Sequence, residues 1–208
     1  MDLRIKNTME VSTDLLLEQD SQLTQVFKAK GYLHLRPSNN LLISICRTII
    51  HQQLSSKAAA TIYNRFTEVI NSTDSINAER LSTLSMETLR NVGISYRKAG
   101  YILSLAEKVK NNEVHLDKLK NLSDDDVITE LTRLDGIGLW SAHMFLILNL
   151  GRPDIFPTTD AGIRKGYLKL RKRGMKFSES RMIKDAKKWK PFRTIASLYL
   201  WEIADTKE

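Results

Sequence analysis

Residues 134–142 have the sequence Leu134-Asp135-Gly136-Ile137-Gly138-Leu139-Trp140-Ser141-Ala142, and Pro157-Thr158-Thr159-Asp160 follows one helix and one loop later. Two glycines separated by one residue let the backbone turn sharply and approach another backbone closely, because neither has a Cβ atom. The turn precedes an apolar helical segment, so it directs amide N–H groups and the positive end of the helix dipole toward one point. Such a point suits a phosphate group.

The size and composition of the chain limit its class. It has 208 residues, 42% of them hydrophobic, which suffices for a full core in at most two modest domains. No run of about 18 apolar residues is present, and residues 1–6 lack the apolar centre of a signal peptide. We therefore expect a soluble, intracellular protein that does not contact a membrane.

Cys46 is the only cysteine, and it lies in the apolar run 41–46. A single cysteine excludes disulfides within the chain, a four-cysteine iron–sulfur cluster and a cysteine-rich zinc site. The run predicts a buried thiol. His34, His115 and His143 do not show the spacing of metal ligands.

Positive charge is concentrated in one part of the chain. Thirteen Lys or Arg residues lie between residues 164 and 193, against the two acids Glu179 and Asp185, in a chain whose net charge is +8. One interpretation is a solvated surface that keeps the protein in solution. The other is a polyanion partner, since neutralising phosphates releases counterions. The nearby glycine turn and Asp160 favour the second interpretation.

Hydrophobic residues recur with helical periodicity nearly throughout, and no alternating strand pattern is convincing. Ser123 before three aspartates, and Ser178 before a stripe of Met182, Ile183, Ala186 and Trp189, predict helix starts. Residues 194–201 predict a buried helix. We expect an all-α fold of two helical lobes: residues 41–150 with the glycine turn, and residues 1–40 with 151–208. The turn and Asp160 would face the cleft between the lobes.

Five segments, in order, resemble the 3-methyladenine DNA glycosylase II (alkylbase) family of the helix-hairpin-helix DNA glycosylase superfamily. They are residues 49–59, 93–99, 134–142, 154–156 with Asp160, and 189–193, and Asp160 follows Gly138 by 22 residues. The resemblance spans about 41–201. It implies that Gly136, Ile137 and Gly138 form a DNA-binding hairpin. The hairpin could also bind a structural Na⁺ or K⁺ through the backbone of Thr132, Leu134 and Ile137.

The resemblance also implies a catalytic role for Asp160 and a base pocket formed by Trp140 and Trp201. Alternatively, Asp160 is only the N-cap of the next helix and the tryptophans are core residues. Trp140 stands where strand-nicking relatives carry a lysine nucleophile, so the resemblance implies a monofunctional enzyme. An aromatic wall suits a cationic alkylated purine, because cation–π attraction favours it by about 0.5–2 kcal/mol.

Tyr96 and the tripeptide His51-Gln52-Gln53 occupy positions from which family members contact the minor groove. A side chain must fill the gap left by an extruded nucleotide, because unstacking costs a few kcal/mol. Tyr96 is the proposed wedge, and Gln53 or His51 the contact with the unpaired partner base. A polar helix surface is the alternative explanation of residues 51–53.

The resemblance therefore implies a monofunctional DNA glycosylase of base excision repair. It would act as a monomer on double-stranded DNA, flip out purines of the 3-methyladenine or 7-methylguanine type, and hydrolyse the N-glycosidic bond to leave an abasic site. We expect no cofactor beyond the hairpin cation. The compartment would be the cytoplasm and nucleoid of a bacterium or the nucleus of a eukaryote.

Two alternatives and two departures accompany this prediction. A non-catalytic helix-hairpin-helix DNA-binding module would need neither Asp160 nor the tryptophan pair, and a glycosylase for oxidised or mismatched bases would release neutral lesions. Only about 40 residues precede Leu41, so we expect no separate N-terminal β-rich domain. Met144 stands where some relatives have an aromatic residue, which leaves the range of lesions open.

Overall fold

The structure is a computed structural model that describes residues 3–70, 77–171 and 176–206. Within these ranges the chain forms α-helices and short 3-10 helices and contains no strand, which confirms the predicted all-α class. The α-helices are α1 (Leu3–Gln19), α2 (Thr24–Lys30), α3 (Leu41–His51), α4 (Ser56–Ile70), α5 (Ala78–Ser82), α6 (Met86–Asn91), α7 (Tyr96–Lys110), α8 (Asp124–Thr132), α9 (Leu139–Leu148), α10 (Ala161–Leu170), α11 (Glu179–Ala186) and α12 (Arg193–Asp205). The 3-10 helices are Ser21–Leu23, Leu116–Asn121 and Lys187–Trp189.

Side-chain caps explain where several helices begin. Ser123 accepts a hydrogen bond from the amide of Asp126 at the start of α8, and Ser178 accepts one from Arg181 at the start of α11. Both predicted starts are confirmed. The cap oxygen satisfies an amide that has no intrahelical acceptor.

The chain divides into two compact units, and the second boundary falls inside α9. The first, called the central unit, is Ser38–Phe145. Its core forms where α3 packs against α4 and α7, with Ile45, Ile49, Phe66 and Ile102 almost fully buried. Cys46 is also fully buried, as its apolar run predicted.

The second, called the terminal unit, comprises Met1–Pro37 and Leu146–Glu208. In it α12 packs against α10, α1 and α2. A Cβ atom on Gly166 of α10 would stand 1.9 Å from the carbonyl oxygen of Leu200, so this glycine permits the close helix contact. The predicted buried helix at residues 194–201 lies within α12 and is confirmed. Lys172 and Arg173 of the basic stretch lie outside the described residues.

A buried carboxylate connects the N-terminal part of the terminal unit to its C-terminal part. Asp20 is 4% exposed. Its Oδ2 atom accepts a hydrogen bond from the indole Nε1 of Trp189 at 2.9 Å and lies 2.8 Å from Nζ of Lys188 and 3.3 Å from Nη2 of Arg171. A buried charge with several partners of opposite sign holds distant segments in one arrangement.

Among the described residues, none of the helices combines the length and the hydrophobicity that a transmembrane span requires.

Candidate active site

The glycine turn between α8 and α9 forms a tight reversal of the backbone. The carbonyl of Leu134 accepts a hydrogen bond from the amide of Ile137 at 3.1 Å. Gly136 has a φ of +80°, and a Cβ atom there would stand 2.2 Å from the ring of Tyr101. The position therefore requires glycine both for its conformation and for its contact with α7.

Gly138 serves a different purpose from Gly136. A Cβ atom at this position would meet nothing within 4 Å, so packing does not demand a glycine. Gly138 directly precedes α9, and its carbonyl accepts from the amide of Ala142 at 3.0 Å. Because it has no side chain, it provides no capping oxygen to the first turn of α9. That helix start is therefore well suited to an external anion.

Neighbouring side chains brace the turn. Asp135 accepts a hydrogen bond from Ser104 at 3.1 Å and pairs with Lys108 at 3.3 Å, both on α7. On another side, Nε2 of Gln52 donates to the carbonyl of Gly136 at 2.7 Å and to Oγ of Ser141 at 3.0 Å. The sequence does not single out Gln52, because nothing in the tripeptide of residues 51–53 shows which amide side chain faces inward.

Asp160 is 8% exposed and caps the start of α10. Its Oδ1 atom accepts from the amide of Ile163 at 2.8 Å, so its interpretation as an N-cap is confirmed. The same oxygen accepts from the indole Nε1 of Trp201 at 2.9 Å, a contact that capping does not require. The structure thus brings together two of the predicted site residues and fixes the orientation of the carboxylate.

Gly162 makes room for this contact. A Cβ atom on Gly162 would stand 2.8 Å from Cδ1 of Trp201 and 3.2 Å from Oδ1 of Asp160. Sequence reasoning missed this residue, although a glycine two positions after a capping aspartate was a visible signal. Any side chain at this position would displace either the indole or the carboxylate.

The loop that leads to Asp160 is fastened to the start of α12. Arg193 donates to both carboxylate oxygens of Asp154, at 2.6 and 2.8 Å. Thr194 donates its hydroxyl to the carbonyl of Arg152 at 2.6 Å and accepts from the amide of Ile155 at 3.0 Å. Trp201 also lies on α12. The same helix therefore carries Trp201 and anchors the loop that leads to Asp160.

Trp140 is partly buried in the first turn of α9. It belongs to the central unit, whereas Asp160 and Trp201 belong to the terminal unit. The pocket predicted between the two tryptophans therefore stays a prediction.

The predicted minor-groove residues differ in exposure. Tyr96 is 67% exposed at the start of α7, with the guanidinium of Arg90 4.3 Å from its ring centroid. Gln53 is exposed, and its φ of +54° lies in the left-handed region. His51 is partly buried, and its Nε2 atom has no hydrogen-bond partner among the described residues. Burial lowers the pKa of His51, and Arg47 and Lys98 lower it further, which favours a neutral ring.

No described residues form a group of three or more His, Cys, Asp or Glu side chains that could hold a metal ion. Burial raises the pKa of the Cys46 thiol to about 12, which makes it a poor ligand. The carbonyl of Leu134 accepts from Ile137 and retains a second lone pair. The cation site at Thr132, Leu134 and Ile137 stays a prediction.

Residues 46–191 match the model of the family described as HhH-GPD superfamily base excision DNA repair protein. DNA-3-methyladenine glycosylase 1 of Schizosaccharomyces pombe is 34% identical over 159 residues, which cover 76% of this chain and 70% of the relative. The crystal structure of DNA-3-methyladenine glycosidase from Bacillus halodurans has a TM-score of 0.79 at 34% identity and covers 94% of this chain and 89% of that one. The S. pombe 3-methyladenine DNA glycosylase in complex with abasic DNA has a TM-score of 0.82 at 30% identity, with coverages of 94% and 99%.

Proposed function

The chain belongs to the HhH-GPD superfamily of base excision DNA repair proteins, and we propose that it is a monofunctional DNA glycosylase that removes alkylated purines. Relatives that carry the name DNA-3-methyladenine glycosylase support this substrate class. The observation that carries the proposal is the buried carboxylate of Asp160, held at the start of α10 by the indole of Trp201. A DNA-binding module without catalysis has no need of such a pair.

The chemistry assigned to Asp160 follows from the reaction. As the N-glycosidic bond breaks, positive charge develops on C1′ and O4′ of the sugar. A fixed carboxylate in a site of low dielectric constant stabilises that charge, because it need not reorganise as the charge appears. Asp160 also orients or deprotonates the attacking water. A purine alkylated at N3 or N7 is already cationic, so it leaves without a general acid.

DNA binding rests on the hairpin, on the end of α3 with the turn after it, and on the start of α7. The first turn of α9 receives a backbone phosphate, which fixes the position of the protein on the duplex. Tyr96 enters the stack where the damaged nucleotide leaves it, and Gln53 or His51 contacts the unpaired base. The electron-rich indole of Trp201, which is bonded to Asp160, favours a cationic purine beside that carboxylate.

Trp140 sets the end point of the reaction. Its position, two residues after the last glycine of the hairpin, holds no amine, so no Schiff base can form there with the sugar. The product is an abasic site in an uncut strand.

A base-release assay on a panel of duplexes tests the proposal. Matched DNA containing 3-methyladenine, 7-methylguanine, 8-oxoguanine or no lesion is incubated with excess protein, and the free bases are separated. We expect release of the two methylated purines and neither of the others. Preferential release of 8-oxoguanine would favour a glycosylase for oxidised bases, whereas binding without any release would favour the non-catalytic module.

A further inference from the structure

Gln52, the C-cap residue that follows α3, forms hydrogen bonds through both its side chain and its backbone. Its side-chain Nε2 donates to the carbonyl of Gly136 at 2.7 Å and to Oγ of Ser141 at 3.0 Å. One amide nitrogen thus spans the apex of the hairpin and the first turn of the helix that follows. Both donor hydrogens of the amide are used, so the side chain has a single productive orientation.

The backbone of Gln52 has a separate partner. Nζ of Lys98, in the first turn of α7, donates to the carbonyl of Gln52 at 2.7 Å and to that of Ile50 at 2.9 Å. A cation at the end of α3 is also favoured by the helix dipole. Lys98 is partly buried, and this burial lowers the pKa of its ammonium group.

These bonds join three segments of the central unit that are distant in sequence: the hairpin, the turn after α3 and the start of α7. Each carries a group to which the proposed function assigns a DNA contact: the helix start at Gly138, the exposed Gln53, and the exposed Tyr96. The bond from Gln52 to Gly136 spans 84 residues, and the bond from Lys98 to Gln52 spans 46. The three DNA-contacting segments therefore share one set of polar bonds.

We propose that Gln52 is a positioning residue that holds the phosphate-binding hairpin in register with the turn after α3 and the start of α7. The phosphate contact of the hairpin and the minor-groove contacts of Gln53 and Tyr96 are then held at a fixed separation. This inference rests on the proposed function, because the hairpin must bind DNA for its register to matter. Gln52 itself need not touch DNA or substrate.

The donor character of the amide decides which substitutions are informative. Leucine has nearly the same shape but cannot donate, so Gln52→Leu removes both bonds and leaves the carbonyl bond to Lys98 in place. Gln52→Glu presents a carboxylate to the carbonyl of Gly136, which is repulsive. Ser141→Ala removes one acceptor and leaves the bond to Gly136. Gln25→Leu on the exposed surface of α2 is the matched control.

Hydrogen exchange of the free protein is the first measurement, and it needs no substrate. In Gln52→Leu we expect exchange of the peptide covering residues 134–142 to accelerate about tenfold, since each bond contributes modestly to local stability. Exchange in α12 should stay unchanged, and Gln25→Leu should match the wild type. Ser141→Ala should show about a threefold acceleration by the same reasoning. Unchanged hairpin exchange in either variant overturns the proposal, and Ser141→Ala decides it if Gln52→Leu does not fold.

Binding to an undamaged duplex as a function of salt is the second measurement. For Gln52→Leu we expect about a tenfold higher half-saturating concentration and a salt slope smaller by about 0.9, the loss of one phosphate contact. The single-turnover excision rate at saturating protein should stay within about threefold, since the loss lies in binding. A loss confined to the rate at saturation contradicts a positioning role. If the wild type excises no alkylated base, the proposed function fails, while hydrogen exchange still tests the bracing.

Discussion

The indole Nε1 of Trp201 donates a hydrogen bond to Oδ1 of Asp160 at 2.9 Å, across 41 residues of sequence. The same oxygen accepts the amide of Ile163 at 2.8 Å. Two donors on one oxygen hold the carboxylate in a single orientation beside the start of α10. The cap of α10 therefore shares one contact with the two groups that the proposed function makes pocket wall and catalytic carboxylate. Substitutions can separate these three roles.

Asp160→Asn separates capping from catalysis. Asparagine caps a helix about as well as aspartate, so the free energy of unfolding should change little. Losing the negative charge should slow excision of 7-methylguanine by about 10²- to 10³-fold while DNA binding is retained. Single-turnover release from methylated DNA and fluorescence anisotropy measure the two effects. Excision at the wild-type rate would remove Asp160 from the mechanism.

Trp201→Phe keeps an aromatic ring and removes the N–H donor. We expect excision to slow about tenfold and stability to fall by about 1–3 kcal/mol, because a hydrogen bond to a charged group is lost. Trp189→Phe is the matched control, since Trp189 donates to the carboxylate of Asp20 at the same 2.9 Å but away from the site. It should lower stability and leave the excision rate of the folded enzyme unchanged. Equal slowing in both variants would point to a general effect of destabilisation.

Gly162→Ala should perturb the site more than the fold. The new methyl group would stand 2.8 Å from Cδ1 of Trp201, so the indole must move. Alanine is favoured over glycine within a helix by about 1 kcal/mol, which offsets part of the strain. We expect excision to fall about tenfold, in the range for a misplaced catalytic group. Gly100→Ala in α7 meets nothing within 4 Å and should leave excision unchanged; a loss there equal to that of Gly162→Ala would contradict the prediction.

Stability in acid should depend on Asp20. Burial alone raises the pKa of this carboxyl, but hydrogen bonds from Lys188 and Trp189 and the charge of Arg171 outweigh burial, so the pKa lies below the ordinary value of an aspartate. A carboxyl with a lower pKa when folded contributes stability above its unfolded pKa and loses it as pH falls through the folded pKa. The free energy of unfolding, measured with urea, should therefore fall progressively below about pH 4. Asp20→Asn should flatten that part of the profile, and an unchanged profile would contradict the assignment.

The wild-type protein should form no covalent adduct with DNA. Borohydride reduction traps a Schiff base between an amine and the opened sugar, and Trp140 provides no amine. A gel should show intact strands after incubation with methylated DNA, and breaks only after hot alkali reveals the abasic sites. A band of protein crosslinked to DNA in the borohydride lane would mean that another amine attacks the sugar.

Local signals in the sequence predicted two helix starts and one buried helix correctly. Ser123 and Ser178 cap the starts of α8 and α11. A capping oxygen accepts from an amide only two or three residues away, so the sequence around it suffices to predict the cap. The apolar stripe of α11 was less accurate: Met182 is buried, but Ile183 is 47% exposed. Adjacent residues point about 100° apart on a helix, and the buried face of α11 includes Met182 but not Ile183.

The sequence by itself determined the all-α class, the starts of α8 and α11, the excess of basic residues and the lack of any cysteine cluster, since each depends on composition or on neighbours within one helical turn. Only the tertiary structure decided that Trp201 reaches Asp160, that Gly162 leaves room for it, and that Gln52 rather than its neighbours braces the hairpin. Those partners lie 41 and 84 residues apart. The packing of helices against one another decides which side chains meet at such separations, and the periodicity of a single helix does not predict that packing.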